Sequence, residues 1–134
     1  MRKIVLDTNC LLMCLSNKNE FHRVWTSFLN EEFILCISNG IINEYEEIIS
    51  RKTSPQFAEM IVRIIVDSKN IIQIYPYYHF NLIPNDPDDN KFVDCAIIAN
   101  ADYIVSQDTH FNVLKTIGFP KVNVIRIEDF VKEL

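Results

Sequence analysis

Five short apolar runs, KIVLD (Lys3–Asp7), FILCIS (Phe33–Ser38), IIQIY (Ile71–Tyr75), YIVS (Tyr103–Ser106) and VNVIRI (Val122–Ile127), are separated by longer segments with helical spacing. Runs this short and this continuously apolar suit strands buried on both faces, as in parallel sheets. The segments between them read as helices. Phe21, Val24, Trp25, Phe28 and Leu29 recur every three or four residues, and so do Phe57, Met60, Ile61, Ile64 and Ile65 behind Pro55. That spacing lines one helical face, and proline suits a first helical turn. Ser38 or Asn39 can cap the helix GIINEYEEIISRK. Asn90–Asn100 and Asp108–Ile117 read as further helices, the second stopped by Gly118, and EDFVKEL as the terminal one. Alternation of this kind predicts a three-layer α/β/α sandwich around a central, mostly parallel sheet. The 134 residues suit a single domain spanning 1–134, and the 49% hydrophobic content is enough for its core.

Several function classes are poorly matched. No apolar run approaches the roughly 20 residues of a membrane span. The basic, apolar start MRKIVLDTNCLLMCL is broken early by Asp7 and lacks a small-residue cleavage site, so a cytoplasmic protein is expected. Cys10, Cys14, Cys36 and Cys95 form no C-x-x-C pair and read as buried reduced thiols rather than a zinc site. The two glycines leave no phosphate-cradling loop. The net charge of −5 argues against a broad basic nucleic-acid footprint, though not against local contacts through Lys91, Lys69 or Arg51-Lys52.

The acids carry the chemistry. In open parallel sheets, function collects beyond the carboxyl ends of the strands. Asp7 ends the first run and Asp108 lies just past YIVS, while Glu44 sits early in the helix after FILCIS and Asp89 starts the helix before YIVS. Each alone reads more readily as a cap or a solvated charge; together they can share one sheet edge. Two carboxylates about 5 Å apart repel by roughly 3 kcal/mol at an effective dielectric near 20, so such a gathering needs a compensating cation or must keep the acids well apart in water. Magnesium and manganese favour these hard oxygen ligands. Thr8-Asn9 and Ser38 can orient the acids, or simply cap helices. Glu47 competes with Glu44 on the same helical stripe, and Asp86, Asp88 and Asp94 compete with Asp89. Asp86 before Pro87 reads as a turn former and Asp88 as solvated. Asp94 lies about 140° around an ideal helix from Asp89. His79 and His110 read as loop histidines. The aromatic stretch Tyr75, Tyr77, Tyr78, His79 and Phe80 can pack a loop, form a dimer surface or stack on bases.

Taken in order, LDTN, SNGIINEYEEII, DPDDNKFVDCAIIANADYIVSQD and IRIEDFVKEL resemble a PIN domain over essentially the whole chain. The likeness is to the small bacterial PIN proteins described as toxins of toxin–antitoxin systems (VapC-like ribonucleases). It implies a Mg²⁺- or Mn²⁺-dependent endoribonuclease whose four acids fall on Asp7, Glu44, Asp89 and Asp108. Ser106 stands where the family usually has threonine, which keeps the hydroxyl. The resemblance also implies RNA as substrate and a small antitoxin as partner, and a homodimer is compatible with it. A stand-alone RNA-processing nuclease, or a weakly active binding protein acting through a partner, are the alternatives. A phosphatase using Asp7 as nucleophile fits less well, because Asn9 stands where such enzymes usually carry a second aspartate.

Overall fold

The apolar runs do pair into one sheet. The computed structural model describes residues 1–84 and 86–134. Strands β1 (Lys3–Leu6), β2 (Ile34–Ile37), β3 (Ile71–Gln73), β4 (Tyr103–Val105) and β5 (Val124–Ile125) form an all-parallel sheet in the order β3-β2-β1-β4-β5. The chain builds outward from β1 to β3, then returns to lay β4 against the other side of β1. A topological switch point therefore lies between β1 and β4, where parallel sheets open a crevice.

Helices α1 (Thr8–Leu15), α2 (His22–Leu29), α3 (Asn39–Lys52), α4 (Pro55–Asp67), α5 (Asn90–Ala99) and α6 (Ile127–Val131) flank this sheet. Local chemistry sets their ends. Ser38 accepts from the Ile41 amide at 3.3 Å to cap α3, and Ser54 caps α4 ahead of Pro55. Asn100 closes α5 in the left-handed conformation, which asparagine tolerates. α5 packs on β1, β2 and β4, α3 on α4, and α1 on α2. A row of rings, Trp25, Phe28, Phe33 and Phe130, fixes the terminal helix α6 to the α2–β2 side of the core, with Phe33 and Phe130 edge to face at 5.3 Å. All four cysteines are free and buried. No helix among the described residues is long and apolar enough to cross a membrane.

Three expected details differ. The last strand shrinks to Val124–Ile125, because its ladder bonds to β4 end at the Ser106 amide on Ile125 O, 3.0 Å, after which Ile127 opens α6. That helix ends at Val131 rather than running to Leu134. Gly118 does not act as a left-handed stop: the helix after Asp108 is a 3-10 helix, Thr109–Thr116, and it ends on extended Ile117, with no glycine at positive φ.

Candidate functional site

The crevice is built from the turn that follows β1. Asp7 is 6% exposed, and its amide donates to Val105 O at 3.0 Å, which docks the end of β1 to the end of β4. One carboxylate oxygen accepts from the Thr8 amide and the other from Ser106 Oγ, each at 2.8 Å. Burial pushes the Asp7 carboxyl above its ordinary range; these two bonds oppose the rise, and the charges of Asp108 and Glu44 add to it. Ser106 Oγ also accepts from the Asp108 amide at 2.9 Å. One serine hydroxyl thus fixes both acids, the role in which threonine would serve equally.

The remaining acids arrive from two helices. Glu44 accepts from Thr8 Oγ1 with one oxygen and pairs with Lys91 Nζ at 2.7 Å through the other. Asp89 closes the 3-10 turn Pro87–Asp89 with helical backbone angles and spends no side-chain bond on capping α5. Its carboxylate is free to face the crevice. Burial pushes it up to about 6, with the charges of Asp86 and Asp108 next in weight, the His110 bond opposing, and Asp7 adding to the rise. Asp108 caps the following 3-10 helix by accepting from the His110 amide at 2.9 Å.

Among the four expected acids, Asp108 and Glu44 act by charge on Asp7, and Asp108 and Asp7 on Asp89. Their rivals are sorted by contacts. Glu47 is 64% exposed and holds Arg51 at 2.7 Å. Glu46 and Asp88 are exposed. Asp94 is buried away from the crevice, accepting from the Phe80 amide at 3.1 Å with His79 Nδ1 at 3.2 Å. Asn9 is exposed, Ser38 serves as a cap, and the orienting hydroxyls belong to Thr8 and Ser106. Tyr75, Tyr77 and Tyr78 are exposed; Ile74 and Ile83 anchor their segment to the core instead.

Two residues read as structural or solvated join the site. The Asp86 carbonyl does shape the turn, accepting from the Asp89 amide at 3.1 Å. Its carboxylate, however, stands 2.7 Å from His110 Nδ1, which also lies 3.3 Å from both Asp89 and Asp108. Asp108 is the leading cause that raises the His110 pKa. Asp86, Asp89 and His110 bring one ligand atom each within 4.8 Å of one another. The signal was present in DPDD, whose first and last acids are three residues apart in a turn, but the His110 contact is long-range. All four thiols are buried, and burial pushes Cys10 up to about 12 and Cys36 to about 11.

Five carboxylates, Asp7, Glu44, Asp86, Asp89 and Asp108, thus meet one lysine and one histidine. Burial leads the rise of Asp89, the charges of Asp86 and Asp108 come next, and the acids outnumber the two basic groups. A hard divalent cation fits such a donor set.

The parallel α/β fold thus carries its acids where β1 and β4 end, at the switch point of the sheet. Residues 3–110 match the family model described as "PIN domain", and the chain belongs to the PIN domain family. Among solved structures it is similar to a chain of VapBC2 from Rickettsia felis bound to a DNA fragment from their promoter. The TM-score is 0.64 at 15% identity, over 92% of this chain and 98% of that one. It is also similar to a chain of DNA-bound VapBC from Salmonella typhimurium, with TM-score 0.59 at 16% identity, over 95% and 99% of the two chains. At such identities the likeness is one of fold. A search of curated protein sequences finds no match.

Proposed function

We propose that this chain is a metal-dependent endoribonuclease, the toxin of a toxin–antitoxin pair. The observation that carries the reading is the carboxylate surplus around buried Asp7 at the switch point. Asp7, Glu44, Asp89 and Asp108 would hold Mg²⁺ or Mn²⁺, with Asp86 at the rim. When bound, such an ion supplies a water of lowered pKa and neutralises charge on the phosphate under attack. The chain's own residues prepare the place. Ser106 and Thr8 fix the oxygens of Asp7, Ser106 also sets Asp108, and Thr8 steers Glu44. Lys91 is positioned to leave Glu44 for a substrate phosphate, and His110 offers a ring nitrogen to the same rim. The antitoxin part of the reading is supported by the VapBC complexes among the similar folds.

The test is cleavage of a mixed single-stranded RNA pool by purified protein with Mn²⁺, Mg²⁺ or chelator, beside Asp7→Asn. Cleavage that needs both metal and Asp7 is the expected result. Absence of both cleavage and calorimetric metal binding would overturn it and leave a partner-binding role.

A further inference from the structure

The acidic edge does not end at Asp108. A cleft of about 200 Å³ opens beside it, lined by Gln107, Asp108, Thr109, Asn112, Lys115 and Arg126 among others. A second, of about 380 Å³, continues along β5 past Lys121 and Asn123, and the two share Lys115, Val124 and Ile125. Together they form a groove along the open edge of the sheet. Asp108 is the one carboxylate among the described lining residues, against Lys115, Lys121 and Arg126.

Several basic side chains elsewhere are matched. Arg51 holds Glu47, Arg63 holds Glu59, Arg2 holds Glu133 and Lys91 holds Glu44. The largest cleft, about 540 Å³ on α4, balances Arg63 with Glu59 and Asp67. Lys115 and Lys121 have no ion pair among the described residues; the same is true of Lys3, Lys18, Lys52, Lys69 and Lys132, but these do not line the groove. Arg126 is exposed and meets Glu128 through Nε at 3.4 Å, while Glu128 is also held by Gln107 Nε2 at 2.7 Å and 2.9 Å. In a chain of net charge −5, the groove sets Lys115 and Arg126 directly beside Asp108. Local cationic grooves attract phosphates even where the whole protein is acidic.

We propose that this β5-edge groove, with Lys115 and Arg126 at its mouth and Lys121 beyond, is the track for the sugar–phosphate backbone of single-stranded RNA leading to the acidic crevice. It rests on the ribonuclease reading for the identity of the polyanion. The amides of Asn112 and Asn123 and the Thr109 hydroxyl supply neutral donors along the same path.

The test separates binding from cleavage. Anisotropy of a short fluorescent single-stranded RNA is followed on Asp7→Asn protein, and on the native chain in chelator, each with and without Lys115→Gln/Arg126→Gln. The double variant is expected to bind about tenfold more weakly. Its log–log salt slope should drop by about 1.4, from two lost phosphate contacts at roughly 0.7 each. Lys115→Arg/Arg126→Lys should bind like the native chain, and so should Arg63→Gln on the α4 cleft. Unchanged affinity and slope in the double variant overturn the track, even if RNA is cut. So does a native chain that binds no RNA, including one whose Lys115 and Arg126 serve a protein partner instead. RNA bound through these residues but left uncut whichever metal is added keeps the track and discards the nuclease reading.

Discussion

Asp89, at the N-cap of α5, and Asp94, five residues on within it, show what separates a site from a buried charge. Asp94 is the more deeply covered, its side chain 4% exposed against 13% for Asp89. Yet Asp94 looks onto donors, the Phe80 amide and the His79 ring, and it fastens the 75–83 segment to the helix. Asp89 also meets a ring, His110 Nδ1 at 3.3 Å, but it lies beside Asp86 and Asp108, and burial followed by those two charges pushes it up to about 6. Depth alone does not mark a functional acid. A carboxylate whose neighbours are other carboxylates is costly in the bare protein, and that cost is recovered when a cation arrives.

The sharpest way to break this contrast is to neutralise each side in turn. Asp7→Asn and Asp89→Asn should lower RNA cleavage by about 100- to 1,000-fold, the range for losing a preorganised charged group in a site. Both should still fold, because asparagine keeps an acceptor and relieves repulsion. Cleavage rates beside circular-dichroism melts decide it; a fully active Asp7→Asn protein removes the acids from the chemistry. Asp94→Ala should do the reverse. Cleavage measured well below the melting point should stay within about threefold. Stability should fall by about 1–3 kcal/mol, since the Phe80 amide is left without its partner. At this size that lowers Tm by about 5–10 °C. A variant that melts normally but no longer cuts RNA would put Asp94 in the site.

Stability against pH gives a smaller signal. The folded-state pKa of Asp89, about 6, lies above its ordinary 3.8, so between these values the folded protein holds the proton more tightly. Stability from this group therefore falls as pH rises from about 4 to about 6. His110 is also raised above its ordinary 6.5; its contribution is complete below that pH and is lost as pH climbs through the folded value. In chelator, Tm should drop by a few degrees from pH 5 to pH 7.5, more steeply than in Asp89→Asn. Millimolar Mg²⁺ or Mn²⁺ should recover the loss at the higher pH by binding only the folded form. A profile identical in the two proteins, unmoved by either ion, would mean the acids do not crowd one another.

How legible this was in the sequence depends on range. β1 to β4 and the caps of α3 and α4 follow from local patterns: apolar runs, a serine before a helix, a proline inside one. Asp7, Glu44, Asp89 and Asp108 could be gathered because strand ends and helix starts meet at one sheet edge. What local pattern could not supply were contacts between distant segments. Asp86 reads as a turn former beside Pro87 until a histidine 24 residues later folds back onto it. Lys115 and Arg126 carry no motif, and only the closing of β5 against β4 places them beside Asp108. Gly118 misled because glycine's usual meaning at a helix end was assumed where an extended isoleucine already ends the turn.

The smallest effect tests the contrast on α3, where two glutamates three residues apart share a helical stripe. Glu44 is turned into the crevice, 23% exposed and held by Thr8 and Lys91; Glu47 lies outside, paired with Arg51 one turn on. An exposed pair of that kind contributes at most about 0.5 kcal/mol, because solvent screens it and two long side chains lose freedom to make it. Glu47→Gln should therefore move Tm by no more than about 2 °C and leave RNA cleavage unchanged. Glu44→Gln, in the same assay, should reduce cleavage at least about tenfold. If Glu47→Gln instead cost the larger share, helical position would have misassigned the acid. α3 would then have to rotate to bring Glu47 inward when metal and RNA bind.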